Sequence, residues 1–184
     1  MVSAVHFADV ADDPKYNKYK YEDLDCQAFV EKVLYDSGVR KPDGSTYNWK
    51  GSNAMWRSAL SWRGTIAEAV DKFGSIPDGA WAFMLKYDGG EKDRGYNDGE
   101  GNATHVGIYV GGGVVRDSTR STKTKRDGVG IRSISDFNMV GLCKYLDYNT
   151  GNVNNNSQIK SILDDIENNL RKLREVYCYE FRGD

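Results

Sequence analysis

An α+β fold is predicted by two features of the sequence: an amphipathic helix that opens at Cys26, and short apolar runs separated by turns that follow well after it. The helix is read from Cys26, Phe29, Val30, Val33 and Leu34, which recur at i, i+3, i+4, i+7 and i+8 and so line one face, with Ser37-Gly38 as its stop. The strands are read from Ala80-Trp81-Ala82-Phe83-Met84-Leu85, which follows the turn Pro77-Asp78-Gly79, and from His105 to Val110 and Val114 to Ser118. Gly111-Gly112-Gly113 joins the last two as a hairpin.

The remaining elements are predicted in chain order. Residues 2–12 place Val2, Val5, Phe7 and Val10 at loose helical spacing and end at Asp12-Asp13-Pro14, where the proline disfavours helix in the residue before it. Between Pro42 and Gly74 the pattern predicts a turn at Pro42-Asp43-Gly44 and two short helices, Asn53 to Leu60 and Thr65 to Phe73. Residues 86–104, rich in Gly, Asp and Asn, read as a long exposed loop, a kind of segment that often carries function. Asn149 to Ser157 is an Asn-rich linker by composition. Beyond it Ile159, Leu163, Ile166, Leu170, Leu173 and Tyr177 follow steps of 4, 3, 4, 3 and 4, the seam of a coiled coil. Such a helix offers either a surface for self-association or partner binding, or a face that folds back on its own domain. The predicted organisation is a domain over 1–148, a linker over 149–157 and an amphipathic helix over 158–184.

Composition removes several classes of function. At 184 residues the chain has room for one cored domain and an appendage. With 25 Lys+Arg against 27 Asp+Glu the net charge is -2, so no basic surplus faces a phosphate backbone and nucleic acid is not the expected partner. The 39% hydrophobic and 12% aromatic content argues against disorder, and no run approaches the ~18 apolar residues of a membrane span. Three widely spaced cysteines and two histidines signal neither a disulfide framework nor a zinc site, and no cofactor or metal is expected.

Chemistry is concentrated at Cys26. A helix N-terminus carries unpaired N–H groups and a partial positive charge, which favour a thiolate there. A base must come from His6 or His105. His6 lies on the lead helix, whereas His105 stands where a Gly/Asn-rich loop enters an apolar strand. A third group is needed to orient the imidazole. Asp117, on the partner strand of the hairpin, is the acceptor of choice; Arg116 next to it faces the other way, and a one-residue change of register exchanges the two.

Asp25-Cys26-Gln27-Ala28-Phe29-Val30 resembles the Asp-Cys-Ser-Gly-Phe-Val nucleophile helix of NlpC/P60 cell-wall peptidases, and His105-Val106-Gly107-Ile108-Tyr109-Val110-Gly111 resembles their histidine strand. Pro77-Asp78-Gly79-Ala80-Trp81-Ala82-Phe83 is similar to the Pro-Gly-Asp-Leu-Val-Phe-Phe strand that precedes it, with Gly and Asp exchanged. The resemblance runs from about Tyr19 to Tyr145, with Gln27-Ala28 in place of Ser-Gly. It implies a papain-like fold with the nucleophile helix packed on an antiparallel sheet. It also implies Cys26, His105 and Asp117 as the catalytic set, since the family's third residue falls about a dozen positions after its histidine. Tyr19 of Tyr19-Lys20-Tyr21 matches the family's tyrosine and is carried over as an oxyanion or substrate contact.

The implied activity is cleavage of peptidoglycan stem peptides between D-glutamate and the diamino acid by a cysteine endopeptidase, with bacterial peptidoglycan as partner. The same triad also serves an N-acetylmuramoyl-L-alanine amidase, and the fold without the activity serves as a wall-binding or assembly module. Trp49, Trp56, Trp62 and the acidic set in 88–100 are where the substrate is expected to be read. The N-terminus lacks the basic-then-apolar layout of a signal peptide. Action at the cell wall then predicts phage delivery, release through a holin, or origin as a fragment of a larger exported protein.

Overall fold

A computed structural model describes residues 1–87, 98–122 and 125–149, together with Ile166 and Leu170. The chain divides into two units, Met1–Tyr148 and Asn149–Asp184. In the second unit Ile166 and Leu170 are helical and about half exposed; the rest of the predicted coiled-coil seam lies outside the described residues.

The first unit is of the α+β class. In order it holds β1 (Val2–Ser3), α1 (Ala4–Asp12), a 3-10 turn (Pro14–Lys18), α2 (Cys26–Asp36), α3 (Ser52–Ser58), β2 (Leu60–Thr65), α4 (Ile66–Phe73) and β3 (Trp81–Lys86). Then follow β4 (Asn102–Gly111), β5 (Val114–Ser121), β6 (Arg126–Ser133), a 3-10 turn (Ile134–Asp136), β7 (Met139–Cys143) and β8 (Leu146–Asp147). Six strands form one sheet in the order β2-β7-β3-β4-β5-β6, every neighbouring pair antiparallel. β1 and β8 form a separate parallel pair.

Alternation along β3 builds two cores from one sheet. Trp81, Phe83 and Leu85 join Phe7 of α1, Phe29, Val30 and Val33 of α2 and Trp56 of α3, while Ala82 joins Ala69, Val115, Phe137 and Val140 on the opposite side. α1 and α2 pack on β4, α2 also on β5, and α4 on β2 and β7. No helix among the described residues is long and apolar enough to cross a membrane.

Local sequence sets several boundaries. Ser3 caps α1, and Thr65 and Glu68 form a reciprocal capping box that starts α4 one residue later than predicted. Leu60, the last residue of the predicted Asn53 to Leu60 helix, is a strand residue in the fold: α3 stops at Ser58, and Leu60 to Thr65 pairs with β7 as β2. β4 starts at Asn102, inside the predicted 86–104 loop, because Ala103 and Asn102 extend the ladder with Leu85 and Lys86. Residues 88–97 of that loop lie outside the described residues.

Candidate active site

Cys26 is the first residue of α2, capped by the Asp25 side chain, which accepts from the Ala28 N–H at 2.8 Å. A cap of this kind contributes about 1 kcal/mol and fixes where the helix begins. It therefore also places the Cys26 N–H in the first turn, whose donors have no acceptor within the helix. Cys26 is 8% exposed, whereas Cys143 is fully buried and its thiol is pushed up to about 12 by that burial. Of the two described thiols, both free, Cys26 is the one that hydrogen-bonds an imidazole.

His105 lies on β4 and hydrogen-bonds both Asp117 and the Cys26 side chain. Its Nε2 is 2.6 Å from Asp117 Oδ2, which leaves Nδ1 as the ring nitrogen for the sulfur. Burial of the ring works against protonation, but the bonds to Asp117 and Cys26 and their charges outweigh it and push the His105 pKa up to about 9. The ring stacks on Phe137, with centroids 6.0 Å apart and planes 24° from parallel.

A β-bulge decides which β5 residue stands behind His105. Gly111 pairs with Val114 but Tyr109 pairs with Val115, so β4 carries one extra residue there, and Ile108 lies opposite Arg116. That puts Asp117 on the His105 side of the sheet and sends Arg116 to the helix side. There Arg116 Nε donates to the Ala11 carbonyl at 3.2 Å and its Nη2 to Asn17 Oδ1 at 2.7 Å. Gly107, two residues after His105, makes the close approach possible: a Cβ there would lie 2.6 Å from Val115 Cγ1 and 3.0 Å from Asp117 Cβ. Asp117 is fully buried and ion-paired with Arg126 through Oδ1, with Arg132 Nη1 3.6 Å from Oδ2.

The structure thus brings Cys26, His105 and Asp117 into one line of contacts. Tyr19 is not in it. Its ring packs against the helix-side core, Lys18 Nζ sits 5.3 Å from the ring centroid, and its carbonyl accepts from the Val129 N–H at 3.2 Å. The phenol that hydrogen-bonds the Cys26 side chain is that of Tyr21, raised in pKa by burial and by the neighbouring Cys26 and Asp25 charges. Tyr19-Lys20-Tyr21 offers two tyrosines to the same pattern, and only the turn that follows decides between them: Asp23 and Leu24 N–H both close on the Lys20 carbonyl, and Ser118 Oγ holds the Leu24 carbonyl.

Gly128 anchors this turn. With φ at 119° it lets the Tyr19 carbonyl come so near that a Cβ would meet its oxygen at 2.1 Å. Gly128→Ala is expected to destabilise the protein by on the order of 1–3 kcal/mol from backbone strain alone, read as a lower urea midpoint. An unchanged midpoint would mean that the turn is not pinned there.

The Gln27 side chain of the Gln27-Ala28 pair clamps a loop. Gln27 Oε1 accepts from the Gly51 N–H at 2.6 Å, its Nε2 donates to Glu31 Oε1 at 2.9 Å and to the Trp49 carbonyl, and Glu31 Oε1 takes the Trp49 N–H at 2.6 Å. Trp49 stacks on Tyr47 with centroids 5.1 Å apart, and Trp62 packs edge-on against Phe73. Trp56 is a correction to the sequence reading: it is core, 3% exposed, set edge-on to Phe83, with its Nε1 donating to the Glu100 carbonyl. Of the acidic set in 88–100, Asp98 is held by Arg57 and Glu100 by Arg63.

No protein-family model matches the chain, and no curated protein does.

Proposed function

We propose that this chain is a cysteine peptidase of the NlpC/P60 kind, papain-like in fold, that cuts peptidoglycan stem peptides between D-glutamate and the diamino acid at the bacterial cell wall. The observation that carries the reading is the unbroken chain from sulfur to imidazole to buried carboxylate, Cys26 to His105 to Asp117. The sequence resemblance around Cys26 and His105 supplies the substrate class.

In this reading the Cys26 thiolate attacks the amide carbon, a C–S bond forms, and the C=O electron pair moves onto oxygen. The Cys26 N–H, aided by the Tyr21 hydroxyl, stabilises that oxyanion. As the tetrahedral adduct collapses, the C–N bond breaks and His105 gives its proton to the leaving amine. Water, deprotonated by the neutral imidazole, then attacks the thioester carbon; the acid leaves and the thiolate returns.

The test is digestion of purified peptidoglycan with the whole chain, followed by mass spectrometry of the soluble fragments. Fragments ending in D-glutamate and fragments beginning with the diamino acid, in equal amounts and rising with time, are expected. Cleavage between muramic acid and L-alanine instead would reassign the bond, and the absence of any new amine and acid ends would remove the peptidase reading.

A further inference from the structure

Asp117 does not face His105 alone. On β6 Arg126 Nη2 pairs with Asp117 Oδ1 while its Nη1 donates to the Ile131 carbonyl at 2.8 Å, so the guanidinium is held at both ends. Arg132 Nη1 lies 3.6 Å from Asp117 Oδ2, its Nε donates to Asp136 at 3.1 Å, and its guanidinium lies over Phe137, 5.4 Å from the centroid of the ring that His105 stacks on. Arg126 and Arg132 side chains are 20% and 24% exposed against 0% for Asp117, so the carboxylate has exchanged water for two guanidiniums and one imidazole.

That charge balance bears on His105. An imidazolium backed by an unshared buried carboxylate holds its proton firmly, because the anion has no other partner and little solvent to screen it. Here one positive charge already neutralises Asp117 and a second stands near. The other charged or titratable groups about the pair are the Cys26 sulfur from α2, with Asp25 and Tyr21 beside it, and Arg116, whose side chain leaves β5 on the helix side but feels both Arg126 and Asp117. The anion on the Cys26 side is the one that the reaction consumes.

We propose that Arg126, assisted by Arg132, is a positioning residue that fixes the Asp117 carboxylate behind His105 and offsets its charge, so that the imidazolium releases its proton once the Cys26 thiolate has become a neutral thioether in the adduct. The proton moves from His105 Nδ1 to the amine nitrogen as the C–N bond breaks, and the imidazole is left neutral beside an Asp117–Arg126 pair that does not change charge. The catalytic significance rests on the peptidase reading; the charge offset itself is measurable without it.

The experiment is a pH titration of the two histidine ring resonances by proton NMR in the Cys26→Ala chain, which removes the sulfur's charge and leaves His6 as an internal control. Adding Arg126→Met is expected to raise the His105 pKa by roughly one unit, since a cation beyond the carboxylate is lost. Arg126→Lys, which keeps the charge, is expected to leave it within about a third of a unit of the Cys26→Ala parent. A purely structural Arg126 would let Asp117 swing away, and the His105 pKa would then fall or stay where it was in the folded Met variant; either result overturns the proposal. Should Arg126→Met not fold, Arg132→Gln, at a partly exposed side chain, decides the matter: a smaller upward shift supports the offset, and an unmoved or lowered value overturns it. With Cys26 intact, Arg126→Met is expected to slow peptidoglycan hydrolysis about tenfold, as the proton is held more tightly. A raised pKa without any wild-type hydrolysis would defeat the peptidase reading alone. Normal hydrolysis with no rise in pKa would defeat the charge offset alone.

Discussion

Cys26→Ala and His105→Ala are each expected to abolish hydrolysis of peptidoglycan, leaving at most the ~10³- to 10⁴-fold acceleration over water that an oxyanion site and binding provide without a nucleophile or base. Both side chains are buried, Cys26 beside the helix-side core and His105 against Phe137, so far-ultraviolet circular dichroism and a cooperative melt are measured alongside to show that each variant is folded. The same pair governs alkylation. Peptide-resolved mass spectrometry after brief iodoacetamide treatment near neutral pH is expected to find Cys26 labelled and Cys143 untouched, because burial holds the Cys143 thiol near 12. In His105→Ala the Cys26 labelling rate should fall, since the ring that hydrogen-bonds the sulfur and can take its proton is gone. Equal hydrolysis by wild type and Cys26→Ala would end the peptidase reading. Equal labelling rates in wild type and His105→Ala would show that the imidazole does not activate the sulfur.

Asp117→Asn is expected to lower turnover by ~10²- to 10⁴-fold and to change its pH profile. The direction follows from His105, which burial would depress but which Asp117 and Cys26 raise from 6.5 to about 9. In the wild type the protonated imidazole, the general acid, is lost as pH rises through about 9, so hydrolysis should decline on that side. Asparagine removes the partner charge, and the alkaline limb should move down toward the ordinary histidine value. The same shift couples to folding. Because the folded-state value is the higher one, the stabilisation from His105 is complete below 6.5 and is lost as pH rises toward and through 9. Urea midpoints measured between those values should therefore decline more in the wild type than in Asp117→Asn. An alkaline limb that stays in place in Asp117→Asn would show that the carboxylate is not what holds the imidazolium.

The tertiary placement of Arg126 has a further consequence for Asp117→Asn. With asparagine at 117, Arg126 faces a neutral amide in a buried position while Arg132 keeps Asp136, so part of the lost activity should come from the uncompensated Arg126 guanidinium near the imidazole rather than from loss of orientation alone. Combining Asp117→Asn with Arg126→Met is thus expected to recover some of the His105 pKa that the single change removes, a non-additivity of the kind that residues in one charge network display.

Much of the fold was legible because its signals are local. The face Cys26, Phe29, Val30, Val33 and Leu34 needs only helical periodicity to be seen, and all of its members are buried in α2. The runs that became β3 and the β4–β5 hairpin are short, apolar and bounded by turns. The strands that escaped notice lack those marks. β6, Arg126 to Ser133, is an edge strand with half-buried Arg126 and Arg132 and an exposed Asp127, and β2 is polar and half-exposed at the opposite edge. β7 is a five-residue run that acquires its identity only by pairing with both β2 and β3.

The sequence by itself determined that one cysteine begins a helix, that one histidine stands in an apolar strand, and that an acid and an arginine compete for the place behind it; each follows from residue spacing along a single element. Only the tertiary structure decided the rest, because it depends on contacts between distant segments. The single extra residue at the β4 bulge put Asp117 rather than Arg116 beside His105, and the turn tied down by Gly128 and Ser118 brought Tyr21 rather than Tyr19 to the sulfur. Edge pairing of β6 with β5 set Arg126 and Arg132 against the buried carboxylate, an arrangement no local pattern encodes, since a strand's partner and register are fixed by the sheet it joins.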